Sequence, residues 1–280
     1  MDIQIGKGGN VDLAISTCAD IAANFIGRSD YFYVESNSSV NGILSSGIIC
    51  RMLIKLKKGF HATWGLTNPH AIVLSTSSEN LMLNFPNNMP LAVSVYYMAK
   101  IIDGRNVDLA GLAVTASYFE NTFDMEQLVI EESKKHGIID VVQGVKFYFD
   151  DVKKSILYLA EPICDISGNA EAVDRFLKLL DISECDVKSL DKIKMSKLLS
   201  LLILKSIDQD EKQLIDTVIV LNNEVIPVLH KFAATIKACI DAPGLVLSLC
   251  LKDDTALQDA EIRLINHKLE RIEESQYLRR

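Results

Sequence analysis

The 280-residue chain has one tryptophan, six prolines, and no apolar run long enough to span a bilayer. The longest such run, around residues 198–204, is short and flanked by lysines. The opening MDIQIGKGGN has no apolar core of the secretory kind, which predicts a cytoplasmic protein. The six cysteines (Cys18, Cys50, Cys164, Cys185, Cys239 and Cys250) include no CxxC pair, and their apolar surroundings predict reduced core residues. No two histidines adjoin. His61, His70, His136, His230 and His267 are scattered, without the spacing of a metal site. Basic residues are outnumbered 29 to 37, a net charge of −8 that excludes a surface coated for nucleic acid and leaves room only for a local contact. Internal repeats and low-complexity tracts are also lacking.

What is present predicts a folded α/β chain. Hydrophobic residues make up 49% and charged ones 24%, and the length suits one large domain or two smaller ones with a real core. Helical apolar spacing covers 11–26, with Asn10 as N-cap, and an aromatic strand follows at 31–36. A helix at 43–56, strands at 60–64 and 71–74, a helix at 91–102 opened by Pro90, and a helix at 109–119 complete the first 120 residues. Strands alternating with helices imply a mostly parallel sheet flanked by helices. Further on, 147–149 and 156–159 read as extended pieces, and Asn169 caps a helix with Glu171 in its first turn. A lysine-rich helix covers 187–207. From about 208 a smaller C-terminal α/β unit is expected: strand 217–221, helix 224–240, a turn at Ala242-Pro243-Gly244, strand 245–251 and a final helix 254–277. The expected domains are therefore 1–207 and 208–280.

The stretch with most to say about function is VESNSSVNGILSSG, residues 34–47. A strand, a small polar loop with a glycine and then a helix is the usual frame of an α/β active site, yet the loop offers Asn37, Ser39 and Asn41 and no charge nearer than Glu35. On local chemistry alone it is an ordinary strand-to-helix turn, or an anion pocket at a helix N-terminus.

The frame resembles the DHH phosphoesterases, specifically their RecJ-like branch. In that family the first strand ends in His-x-Asp-x-Asp-Gly before an apolar helix. Here the histidine position is Asn37, the aspartates are Ser39 and Asn41, and Gly42 is retained. The metal-binding aspartate ending a later strand corresponds to Ser75 in AIVLSTSS, and the Gly-Asp after a further helix corresponds at best to Glu120. The Asp-His-His triplet has no counterpart. Two-metal phosphodiester cleavage needs several anionic carboxylates around two cations, and neutral amides and hydroxyls cannot balance that charge. The segments PLAVSVYYMAKIIDGRNVDLAGLAV and EPICDISGNAEAVDRFLKLLDI resemble those of archaeal RecJ homologues, and residues 208–280 resemble a trimmed DHH-associated domain without its glycine-rich signature.

The resemblance implies a DHH-type fold whose catalytic site has degenerated at Asn37, Ser39, Asn41, Ser75 and Glu120: a pseudo-phosphoesterase with no metal and no cofactor. It further implies a replication scaffold like the inactive helicase subunit of this family in eukaryotes, with GINS and MCM as partners, a nucleoid-associated location and no membrane. Single-stranded DNA is a further expected ligand, for which Arg51, Lys55, Lys57 and Lys58 form the candidate patch, Lys188, Lys192, Lys194 and Lys197 a second. A solvated helix end explains the first cluster equally well. The competing class is a live single-strand exonuclease or phosphodiesterase using Glu120 and Asp124, and a third is a nucleotide-sensing regulator. The open edge of the small C-terminal sheet is the expected GINS docking site.

Overall fold

The computed structural model describes residues 9–120, 123–183, 185–206 and 214–277, with side chains from residue 12 on except those of 123–126. The chain divides into two compact units: Met1–Asp140 with Leu221–Pro227 and Cys239–Leu257, and Val141–Val220 with Val228–Ala238 and Gln258–Arg280. The expected division at 207/208 falls at the edge of 207–213, outside the described residues. Residues 208–280 do not group as one body, because two of their segments group with the first 140 residues.

The first unit opens with α1 (Gly9–Ile26), so Asn10 lies inside the helix, its side chain outside the described residues. Then come β1 (Tyr31–Glu35), α2 (Val40–Lys55), β2 (Gly59–Thr63), β3 (Ala71–Ser75), β4 (Asn80–Asn84), α3 (Leu91–Ile102), α4 (Ala110–Glu120) and α5 (Phe123–Lys135). The sheet order is β2-β1-β3-β4. In β1 the period of two buries Phe32 and Val34 and leaves Tyr31 and Tyr33 exposed. β1 and β2 run parallel, as a helical crossover such as α2 requires. The mostly parallel expectation fails beyond this pair, for β3 is antiparallel to β1 and β4 to β3. The cause is local. Only Thr76 to Glu79 join β3 to β4, Thr76 N–H donates to the Glu79 carbonyl at 2.8 Å, and so short a link permits only a hairpin. α2 is buried continuously from Gly42 to Leu53 and packs on α3 and α4.

The second unit holds most of a two-stranded sheet, β5 (Ile139–Val145) with β6 (residues Ile215–Leu221), whose outermost residues group with the first unit. Its helices are α6 (Val152–Leu157), α7 (Ala170–Leu179), α8 (Lys192–Lys205), α9 (Leu229–Ala238) and most of α11 (Leu257–Tyr277). One core cluster gathers Phe147, Val152, Ile156, Val173, Phe176, Leu198 and Leu202. Asn169 caps α7 as expected, its Oδ1 accepting from Ala172 N at 3.0 Å, with Glu171 in the first turn. The extended pieces expected at 147–149 and 156–159 are not strands: the former has no regular structure and the latter begins inside α6.

The strand expected at 245–251 is helix α10 (Pro243–Cys250), in the first unit, with proline at its start. LVLSLCL is apolar on both alternating and helical templates, so its period does not discriminate, whereas proline in a first turn favours the helix. With that strand gone, the sheet edge expected to dock GINS does not exist as drawn. Lys268, in α11, is 2% exposed. Five of the six cysteines are buried and Cys185 is half-buried, all six as free thiols. No helix among the described residues is long and apolar enough to cross a membrane.

Candidate functional site

The loop between β1 and α2 sits at the carboxyl end of β1, flanked by parallel β2 on one side and antiparallel β3 on the other. Strand ends of this kind are where α/β sheets place their ligands. Ser36 fastens the loop to the next segment: its N–H donates to the Thr63 carbonyl at 3.1 Å, and its own carbonyl accepts from Leu66 N at 3.1 Å. Asn37 is buried. Its Oδ1 accepts from Ser39 N at 3.0 Å and from the Ser39 hydroxyl, and its Nδ2 donates to the Pro69 carbonyl at 3.3 Å. Ser39 Oγ in turn accepts from Gly42 N at 3.1 Å, the N-cap of α2. Asn41 reaches two other helices. Its Oδ1 accepts from Ala92 N at 2.8 Å in the first turn of α3, where Pro90 supplies no side-chain cap, and its Nδ2 donates to Glu120 Oε1 at the end of α4.

The structure thus brings Asn37, Ser39, Asn41 and Glu120 into one hydrogen-bonded cluster. It does not bring Ser75 there. Because β3 runs antiparallel, Ser75 pairs with Tyr33 at the middle of β1, and it is Val73 that stands opposite Glu35 at the loop end. In a parallel sheet the ends of both strands would share an edge, and the antiparallel pairing removes Ser75 from the site. The side chain of Asp124, the other carboxylate of the enzyme alternative, lies outside the described residues.

What the cluster can do follows from its donors. Asn37 Oδ1, Ser39 Oγ and Asn41 Oδ1 each accept from a backbone N–H of the fold itself. One carboxylate, Glu120, joins them, and it is engaged by Asn41. Two dications need several anionic oxygens, so this donor set does not fit them. Among the described residues no three His, Cys, Asp or Glu side chains are grouped to hold a metal ion.

Gly42 has a steric reason to persist. A Cβ there would sit 2.3 Å from the Asn37 carbonyl oxygen and 2.5 Å from Asn37 Oδ1. Gly42→Ala is expected to displace Asn37 and to cost about 2 kcal/mol, within the range for overpacking. Urea titration checks it, and a loss below about 0.5 kcal/mol would mean the loop yields without strain.

The expected DNA patch does not assemble. Arg51 is 7% exposed, and its Nη1 lies 2.8 Å from both oxygens of buried Glu224. Lys55 is bound to Asp108 and to Asn106 Oδ1, and Lys58 donates to Asp30 at 2.7 Å. Lys57 alone of the four is exposed without a partner among the described residues, at φ +58° just past α2. Three of the four cations are therefore already neutralised. Of the second lysine group, Lys194 pairs with Asp181 at 3.3 Å. Trp64, the one tryptophan, is half-buried.

A feature without sequence signal is a 440 Å³ cleft in the first unit, lined by Ile15, Met89, Tyr97, Lys100, Leu128 and Glu132 among others. Lys100 binds Glu132 at 2.6 Å and stands 5.0 Å from the Tyr97 ring centre. Burial, helped by Glu132 and Asp12, pushes the Tyr97 hydroxyl up to about 12. Met89 apart, the residues named come from three helices, α1, α3 and α5, far apart in the chain, so no motif could announce them.

Fold and loop together define an α/β protein with a mixed sheet and an uncharged strand-to-helix loop. A comparison with protein-family models finds no match, and neither does a comparison with curated proteins.

Proposed function

We propose that the chain is a non-catalytic scaffold of RecJ-like, DHH-type descent that serves DNA replication by holding partner proteins, GINS and MCM first among them. The observation that supports this is how the loop uses its side chains. At the positions where a phosphoesterase of that kind needs anionic metal ligands, Asn37, Ser39 and Asn41 cap α2, brace the loop and cap α3. Their lone pairs serve the fold, and the retained β1–loop–α2–β2 crossover is a frame kept for its shape. A protein of this kind acts through its surface. Guidance of single-stranded DNA is the weaker half of the proposal, because Arg51, Lys55 and Lys58 are occupied.

Two measurements test the proposal. Copurification of the native, tagged full-length chain is expected to recover GINS and MCM subunits, and their absence from a reproducible set of partners would overturn the replication role. The purified chain is expected to leave a single-stranded oligonucleotide intact in manganese or magnesium. Metal-dependent turnover lost in Glu120→Gln would instead establish the exonuclease alternative.

A further inference from the structure

Helix α8 has two faces with different fates. Asp191 caps it, accepting from Ile193 N at 2.9 Å and Lys194 N at 2.8 Å. Inward, Leu198, Leu199 and Leu202 are buried in the core of the second unit. At helical spacing the outward face is Ile193, Lys197, Ser200, Leu201 and Leu204, a stripe about 16 Å long at 1.5 Å per residue. Ile193 is 69% exposed and Leu204 68%, and Leu201 is also exposed. Leu179, 86% exposed at the end of α7, precedes by two residues the Asp181 that Lys194 grips. Single exposed leucines are ordinary, but Ile193, Leu201 and Leu204 on one face, with Lys197 and Ser200 between them, on a helix whose other face is already used, mark a docking surface.

The charges select the occupant. Lys194 and Lys205 are consumed by Asp181 and Asp165. Lys197, in the middle of the stripe, Lys192, the first residue of the helix, and Lys188, in the turn before it, are exposed and pair with nothing among the described residues. A second copy seated antiparallel on this face would set Lys197 against Lys197. A flat anionic membrane would meet Asp191 at the N-cap of the helix and the exposed Asp181 beside Lys194. A discrete helix avoids both conflicts when it carries apolar anchors for Ile193, Leu201 and Leu204 and a carboxylate between them for Lys197.

We propose that the outer face of α8 docks an acidic amphipathic helix of another protein. The inference does not depend on the replication proposal, since the partner is defined by its chemistry. The probe is a labelled 21-residue peptide with leucine at heptad positions a and d and glutamate at e and g, whose like charges oppose self-pairing. Titration with the full chain is expected to give saturable binding that weakens as salt rises. Leu204→Glu, Ile193→Glu and Lys197→Glu are each expected to weaken it about tenfold or more. The same peptide with lysine for glutamate is expected not to bind. These residues are exposed, so the variants should melt like the parent, and any that does not is replaced by the serine variant. Absence of binding, or binding indifferent to all three changes, overturns the proposal. So does Leu204-dependent self-association in sedimentation, which assigns the face to a second copy, or Leu204-dependent binding to phosphatidylserine vesicles, which assigns it to a membrane.

Discussion

Glu224→Ala is expected to cost the first unit about 3 to 5 kcal/mol, the loss that follows when one partner of a buried ion pair is removed. The Glu224 side chain is fully buried and that of Arg51 is 7% exposed, with Nη1 at 2.8 Å from both carboxylate oxygens. Burial pushes the Glu224 carboxyl up to about 7 against the pull of Arg51, so the comparison belongs at pH 8, where the pair is charged. The site is shaped around this side chain. A Cβ on Gly111 of α4 would stand 2.8 Å from Glu224, and one on Gly47 of α2 would stand 2.7 Å from Cys250 Cβ in α10. Removing the carboxylate strands a nearly buried guanidinium without a partner carboxylate. Removing both charges does not, so Arg51→Met with Glu224→Leu is expected to recover most of the loss. Urea denaturation of the three proteins decides the matter. A Glu224→Ala loss under about 0.5 kcal/mol would show that the pair is dispensable. The same pair explains why Arg51→Ala is expected to unfold the protein more readily and not to act as a DNA-contact variant.

Much of the first unit was legible in the sequence because its signals are local. Pro90 opens α3, the alternation in YFYV sets β1, and the continuous apolar run AIVL gives the buried β3. Asn169 and Glu171 announce α7 in the second unit for the same reason. What could not be read depends on partners distant in the chain. β4 is a five-residue strand of Asn, Leu and Met that only its hairpin with β3 makes extended, and its absence from the expected elements is why the sheet looked mostly parallel. β5 has a glycine and a glutamine within it and exists through pairing with β6. The basic cluster at the end of α2 was visible, but its neutralisers Glu224, Asp108 and Asp30 lie 173, 53 and 28 residues away from the cations they bind. The loop was identified correctly as a place lacking charge. That Asn41 caps α3 was not legible, since Pro90 and Ala92 carry no sign that the first turn lacks a cap of its own.

Acidification is expected to weaken the second unit through His230, by about 3 kcal/mol between pH 6.5 and pH 4. His230, in α9, is buried. Its Nε2 lies 3.1 Å from the Phe147 carbonyl, and its ring meets that of Tyr148 edge to face at 5.5 Å. Burial lowers the imidazole to about 4 from an ordinary 6.5, opposed by the Phe147 hydrogen bond and assisted by Lys146, Lys268 and Lys231. The fold therefore holds His230 neutral. Above pH 6.5 both folded and unfolded chains carry it neutral and its contribution is intact. As pH falls from 6.5 towards 4 the unfolded chain takes up a proton that the folded one refuses, and stability is lost. The surroundings explain the refusal. Lys268, itself pushed down to about 7 by burial, stands 3.5 Å from the centre of the same Tyr148 ring. Glu161 is already shared among Lys268 at 3.2 Å, the Tyr148 hydroxyl at 2.6 Å and Arg271. A second cation at His230 would find Glu161 already engaged. His230→Gln keeps a polar side chain of similar reach and removes the titration. Its stability relative to the parent is expected to improve by about 3 kcal/mol from pH 7 to pH 4, with the general loss from carboxylate protonation common to both. Lys268→Met is expected to shrink the acid effect without abolishing it, because one of the charges that keeps His230 neutral is gone. Parallel stability curves for the parent and His230→Gln across this interval would mean that the imidazole is not held neutral.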